Sequence, residues 1–300
     1  MTYANYPLSY SEPVFRPPSE ANSLILQITI GCSWNHCAFC EMYTAPQKQF
    51  KVKNEAILFA EIESAAAMYP QTRRIFLADG DAMVLSTRRL LAILTKIQDC
   101  FPAIARITSY CLPRNVKSKS VAELNELHEA GLTMVYVGAE SGDDELLKRI
   151  NKGETFATTV DALQKWQNAG VKTSVMVLNG LGGNLYSEQH ALNSARLVNE
   201  TQPNYLATLV VSFPMGKDRF LRHFPPEFAL LDQSGLFREM EKFIRNTELH
   251  NTIFRSDHAS NYLVLKGVLG KDKDRLLETL HMAQNAPDKV KLREEWQRGL

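Results

Sequence analysis

From about Leu24 to Val211 the chain alternates short apolar, β-branched runs with longer stretches of amphipathic, helix-like spacing. The apolar runs are Leu24–Ile30, Arg73–Ala78, Ala105–Ser109, Thr133–Val137, Lys172–Leu178 and Tyr205–Val211. Runs of this length bounded by turn residues read as buried strands. Between them the spacing predicts helices over roughly 53–69, 86–99, 120–130, 142–169 and 187–200. Ser120-Val121-Ala122-Glu123 reads as a capping box, and Gly131 as the stop of the same helix. Ser141-Gly142-Asp143-Asp144 is a further helix start, and Thr155 is placed to cap a helix ending at Gly170. Six β/α units in a row favour a parallel sheet with helices packed outside it. Right-handed crossovers then gather the loops that leave the strands' C-terminal ends on one face, where sites in such folds collect.

After about Phe213 the pattern changes, and residues 225–300 read as helices with charged faces. The expected organisation is an N-terminal extension over 1–23, a core over 24–215 and a C-terminal helical region over 216–300. No apolar run is long enough to span a bilayer, and the polar stretch Met1 to Glu20 lacks the basic start and apolar centre of a signal peptide. With a net charge of +1, no global field points to nucleic acid or an acidic membrane. A cytoplasmic protein is expected, with neither membrane nor nucleic acid as partner.

Candidate chemistry concentrates in Gly31-Cys32-Ser33-Trp34-Asn35-His36-Cys37-Ala38-Phe39-Cys40, directly after the first apolar run. Three clustered thiols among five cysteines are a ligand pattern and not a disulfide framework. Zinc sites and simple ferredoxin clusters normally close with four ligands, so three suggest a metal cluster with one atom left open for chemistry. The alternative is a zinc knuckle or an inert three-cysteine site.

These cysteines, with Phe39 before the last of them and a β/α series behind them, resemble the radical S-adenosylmethionine (SAM) superfamily. Phe76-Leu77-Ala78-Asp79-Gly80-Asp81 resembles its stretch that binds the methionine amino group. Val137-Gly138-Ala139-Glu140-Ser141-Gly142 resembles its ribose-contacting segment. The continuation Leu146 to Gly153 is similar to the oxygen-independent coproporphyrinogen oxidase-like branch. One departure is the first cysteine gap, which holds four residues where the commonest spacing has three.

The resemblance implies a partial (β/α)6 TIM-type barrel with a C-terminal helical extension. It further implies a [4Fe–4S] cluster on Cys32, Cys37 and Cys40, with S-adenosylmethionine on the remaining iron. Reductive cleavage of that cofactor to a 5′-deoxyadenosyl radical, and hydrogen abstraction from a small organic substrate, would follow. The expected outcome is oxidoreductase-like, fed by a flavodoxin or ferredoxin-type reductant. Modification of RNA or protein, or non-catalytic electron transfer or sensing, are the competing classes. Cofactor contacts are expected from Phe39 (adenine), Asp79, Gly80 and Asp81 (the methionyl amine), and Glu140 and Ser141 (ribose). Arg149 is a candidate for the methionyl carboxylate, and Asn179 with Gly180 for the flank of adenine. Cys111 and His258 are candidates for substrate chemistry, each against a plainer reading as a buried thiol and as part of a polar capping cluster.

Overall fold

The computed structural model describes residues 8–298, so residues 1–7 of the expected N-terminal extension and 299–300 of the C-terminal region lie outside it. In chain order the strands are β1 (Leu24–Gln27), β2 (Thr29–Ile30), β3 (Lys51–Val52), β4 (Arg74–Ala78), β5 (Arg106–Tyr110), β6 (Leu132–Glu140), β7 (Lys172–Asn179), β8 (Tyr205–Val210), β9 (Thr252–Ser256) and β10 (Leu265–Leu269). The α-helices are α1 (Glu55–Met68), α2 (Thr87–Cys100), α3 (Val121–Glu129), α4 (Asp144–Arg149), α5 (Phe156–Asn168), α6 (Gly183–Thr201), α7 (Asp218–Leu221), α8 (Gln233–Arg245) and α9 (Lys273–Asn285). No helix among the described residues is long and apolar enough to cross a membrane.

Two compact units divide the chain. The first comprises the described part of Met1–Asn35, with Met42–Val137 and Gln164–Lys172; the second comprises His36–Glu41, Gly138–Leu163 and the described part of Thr173–Leu300. The division falls inside the cysteine loop and inside β6.

In the first unit β1, β4, β5 and β6 lie side by side in parallel, Leu24 opposite Ile75, Arg74 opposite Arg106 and Tyr110 opposite Tyr136. The apolar stripe of α2, Leu90, Ile93, Leu94 and Ile97, is buried as its spacing requires. The predicted capping box forms on α3: Ser120 Oγ accepts from the Glu123 amide at 3.2 Å, and Glu123 returns the bond to the Ser120 amide at 2.8 Å. Gly131 then ends the turn at φ +103°, where a side chain would be strained.

In the second unit β7 pairs with β8 and β8 with β9 in parallel, and β10 closes antiparallel on β9. These last two strands correct the reading of 225–300 as helices throughout. Thr252–Ser256 alternates buried and outward positions with a period of two, which belongs to a half-buried strand and not to a helix face. The helical stretch expected over 142–169 is two helices, α4 and α5, and Thr155 caps the second as its placement suggested, Oγ1 accepting from the Thr158 amide at 3.2 Å. Asn151 at φ +52° and Gly153 at φ +74° break the stretch, since positive φ cannot continue a right-handed helix.

Candidate functional site

In the first unit the carboxylates of Asp79-Gly80-Asp81 follow the end of β4 and are fully buried. Asp79 Oδ2 is ion-paired with the equally buried Lys48 ammonium and accepts from Gln27 Nε2 at 3.0 Å and from the Gly31 amide at 3.2 Å. Asp79 Oδ1 has no partner. Burial pushes the Asp79 carboxyl above the usual carboxylate range despite Lys48, Gly31 and Gln27 pulling the other way. Lys48 also donates to Ser11 O at 2.8 Å, so the N-terminal segment helps to fix the cation.

The half-buried Cys32 hangs from this arrangement through Gly31. Gly31 has φ +70°, and a Cβ there would lie 1.9 Å from the Lys48 carbonyl oxygen, so only glycine allows the two backbones to meet. Gly80 likewise serves close approach, because a Cβ would meet the Tyr43 ring at 2.3 Å. Asp81 Oδ2 accepts from the Ser33 hydroxyl, while Oδ1 is buried without a partner, and burial again raises the pKa. The long cysteine gap is therefore anchored residue by residue. Ser33 holds Asp81, Trp34 lies under the Arg114 guanidinium at 4.0 Å, and Asn35 Nδ2 donates to Tyr43 O at 2.8 Å.

In the second unit the rest of the cysteine loop is tied down through its backbone. The Ala38 amide donates to Ile150 O at 2.8 Å, and Asn151 Nδ2 donates to His36 O at 3.1 Å. Arg219 spans the other two cysteines of the loop, donating from Nη2 to Cys37 O at 2.7 Å and from Nη1 to Cys40 O at 2.9 Å. Cys37 and Cys40 are half-buried, and none of the chain's cysteines is in a disulfide. Phe39 packs against a buried cluster that includes Leu146, Ile150, Leu178 and Phe220, with the Lys152 ammonium 5.9 Å from its ring centroid.

Glu140 ends β6 at φ +63° with its carboxylate buried. Its Oε1 accepts from Lys152 Nζ at 2.9 Å, and its Oε2 is buried with no partner. Ser141 is not the cap of α4. Asp143 takes that place, accepting from the Leu146 amide at 2.8 Å. The Ser141 hydroxyl accepts from the Asp143 amide at 3.0 Å and meets His190 Nδ1 at 2.8 Å. The other ring nitrogen of His190 faces Leu178 O at 3.0 Å. A carbonyl can only accept, so in the neutral ring Nε2 carries the proton and Nδ1 receives the serine hydroxyl.

The remaining candidates stand differently. Arg149 lies on an outward face of α4, donating to Glu145 Oε1 at 3.0 Å with its guanidinium 4.9 Å from the Tyr186 ring centroid. Asn179 is buried and donates to Leu236 O at 3.3 Å. Gly180, at φ +85°, gives its amide to Glu239 Oε1 at 2.6 Å. Cys111 is 2 % exposed, and its thiol donates to Leu112 O at 3.3 Å. The His258 ring accepts the Ser260 amide on Nδ1 at 3.1 Å, and its carbonyl accepts from Arg293 at 2.7 Å. Burial, then the Arg293 charge, lowers the His258 pKa. Among the described residues no three His, Cys, Asp or Glu side chains are grouped as they would be around one metal ion.

Sequence reasoning missed Lys48, Lys152, Arg219 and Glu239. Lys152 had a signal, since Asn151-Lys152-Gly153 is a turn inside an apparently continuous helix. Lys48 and Arg219 had none, because neither belongs to a local pattern.

Residues 26–198 match the Radical SAM superfamily. No curated protein is similar enough to the chain to match it. Among solved structures, coproporphyrinogen III oxidase (HemN) from Escherichia coli is 15% identical with a TM-score of 0.55, over 81% of this chain and 54% of that one. Methylornithine synthase (PylB) is 14% identical with a TM-score of 0.51, over 76% and 63%. The radical S-adenosylmethionine methyltransferase TsrM from Kitasatospora setae, solved with cobalamin and a [4Fe–4S] cluster, is 20% identical with a TM-score of 0.51, over 62% and 36%. The chain thus spans less than two thirds of the length of each. At these identities the likeness shows the fold, an α/β architecture of the partial TIM-barrel type. The superfamily match covers more than half of the residues and carries the three cysteines together with both carboxylate-bearing strand ends, so the chain belongs to the radical SAM superfamily.

Proposed function

We propose that this protein is a radical SAM enzyme that holds a [4Fe–4S] cluster on Cys32, Cys37 and Cys40 and binds S-adenosylmethionine beside it. Reduced, such a cluster cleaves the carbon–sulfur bond of S-adenosylmethionine, giving methionine and a 5′-deoxyadenosyl radical that takes a hydrogen atom from substrate. The observation that carries the reading is the set of orphaned oxygens. Asp79 Oδ1, Asp81 Oδ1 and Glu140 Oε2 are all buried and without a partner, each on a segment resembling a cofactor contact. Buried polar atoms are rarely left unsatisfied, and an ammonium and ribose hydroxyls are donors of the kind they lack. The three half-buried thiols suit a soft iron–sulfur centre. The residues present therefore fit both groups.

Each residue then has a task. Asp79 and Asp81 accept from the methionyl amine, and Glu140 accepts a ribose hydroxyl on Oε2 while Lys152 fixes Oε1. Phe39 gives adenine an apolar wall, and the backbone at Asn179 and Gly180 flanks it. Arg149, engaged with Glu145 and Tyr186, is the weakest member of the set. Ser141, bound to His190, shapes the Glu140 turn. Cys111 and His258 remain candidates for the substrate step.

The substrate class is a small organic molecule, a choice over RNA supported by the near-neutral charge, and the cytoplasmic setting is supported by cysteines clustered as candidate ligands and not spread as a disulfide framework. An oxidoreductase-like outcome of the coproporphyrinogen oxidase-like branch, served by a flavodoxin or ferredoxin-type reductant, rests on the sequence resemblance alone.

The test is 5′-deoxyadenosine formation by anaerobically reconstituted protein given S-adenosylmethionine and dithionite. Product is expected from the native chain and none from Cys32→Ala, Cys37→Ala or Cys40→Ala. Sustained cleavage by Cys37→Ala overturns the assignment. A loaded native cluster that binds S-adenosylmethionine and yields no product, with candidate substrates present, leaves electron transfer or sensing as the reading.

A further inference from the structure

We infer that Arg219 is a positioning residue for the cluster: its guanidinium bridges the carbonyls of Cys37 and Cys40, sets the shape of that loop and makes the cluster easier to reduce. The inference rests on the proposed cluster and concerns a residue outside the stretch that matches the superfamily.

The geometry is that of a fork. Two different guanidinium nitrogens donate to the carbonyls of the two ligand residues at 2.7 and 2.9 Å. A planar guanidinium suits such a pair, because both bonds form from one rigid group, whereas an ammonium is a single point of charge. The fork is itself held in place. Arg219 sits on α7 next to Phe220, which is fully buried, with its ring centroid 4.7 Å from those of both Phe213 and Phe224. The loop is also fixed at Ala38 by Ile150 and at His36 by Asn151. Arg219 restrains the two ligand residues themselves.

A positive charge this close to two ligands favours the more negative, reduced form of a cluster, since net charge and hydrogen bonding set cluster potentials. Loss of the charge moves the potential down, and loss of the fork loosens the ligands.

The experiment compares native protein, Arg219→Gln and Arg219→Lys after anaerobic reconstitution. Iron and sulfide content, the rate of iron loss to a chelator, and the midpoint potential from an EPR-monitored titration are read, with circular dichroism as the check on folding. Native protein that takes up no cluster defeats the proposed function, independently of Arg219. If it loads, Arg219→Gln is expected to show a more negative potential and faster iron loss. Arg219→Lys is expected to restore the potential through its charge while still losing iron faster than native. Native values for both quantities in Arg219→Gln overturn the inference. So does an Arg219→Lys potential displaced as far as that of Arg219→Gln. If Arg219→Gln does not fold, Arg219→Lys decides alone: chelator resistance equal to native removes the role of the fork.

Discussion

Asp79 in the first unit and Glu140 in the second are built alike and secured differently. Each is a buried carboxylate after or at a strand end, with one oxygen on a lysine and the other without a partner. Asp79 has its bound oxygen gripped by Lys48, Gln27 and the Gly31 amide, with a lysine that is itself fully buried. Glu140 has one grip, Lys152, whose ammonium also lies near the Phe39 ring. One oxygen fixed and one presented is a way to orient a carboxylate toward a ligand at modest cost in solvation. In the first unit the arrangement also holds the fold together, through Gly31, Ser11 and the chain leading to Cys32. In the second the contact fixes one oxygen of Glu140 and leaves the other, Oε2, without a partner.

Removing the two lysines breaks this comparison open. Lys48→Met leaves Asp79 buried without its cation, and losing one partner of a buried pair costs about 3 kcal/mol or more. Thermal or denaturant unfolding is expected to show that loss, together with failure to load the cluster. Lys152→Met is expected to cost about 2 kcal/mol, the worth of a charged hydrogen bond. Its larger signature is weaker S-adenosylmethionine binding by calorimetry, with Lys152→Arg partly restoring it. Equal stability losses in the two variants would contradict the difference drawn between the sites.

The first unit was also the more legible in sequence. Its parallel strands β1, β4, β5 and β6, the Ser120–Glu123 capping box and the Gly131 stop are local signals, read from spacing and one or two residues of chemistry, whereas the two-residue β3, Lys51–Val52, is exposed and too short to leave one. The Asp79-Gly80-Asp81 turn is a local signal of the same kind. In the second unit β9 and β10 hid behind charged residues, because Arg255 and Lys266 occupy outward strand positions in segments only five residues long. The lysines and Arg219 were invisible for a different reason. Arg219 lies 182 residues from one of the carbonyls it binds, and no window along the chain contains both. Candidate ligand types can be read locally, whereas the distant side chains that hold their segments in place cannot.

A subtler difference concerns Glu239, on α8, which holds the Gly180 amide in the second unit. Burial raises its pKa against the opposing pulls of His190, Ser187 and Gly180. An acid whose folded pKa lies above its unfolded value binds more protons when folded. Its contribution is thus fully present below the ordinary glutamate value and is lost as pH rises through the folded pKa. Glu239→Gln removes this dependence. Across pH 4.5 and upward, native stability is expected to fall relative to the variant, by at most about 1.4 kcal/mol per pH unit. Parallel stability–pH curves would show that the Glu239 pKa is the same folded and unfolded, and would remove the upward shift ascribed to burial.

The smallest effect is expected at Arg149, and it is informative because two roles compete for one side chain. The guanidinium is half-buried, paired with Glu145 one turn away on α4 and stacked near Tyr186. Surface pairs of this spacing contribute about 0.5 kcal/mol or less. If that is its whole role, Arg149→Ala lowers the unfolding midpoint barely and leaves S-adenosylmethionine affinity at the native value. If it binds the methionyl carboxylate, affinity falls at least tenfold, since a charge-assisted bond of this kind contributes about 1.5–3 kcal/mol. The structure favours the first outcome, because the side chain already has an anion and a ring to occupy it. A tenfold loss would mean that Arg149 leaves Glu145 and Tyr186 when the cofactor binds, and that the second unit aims a cation as well as a carboxylate at its ligand.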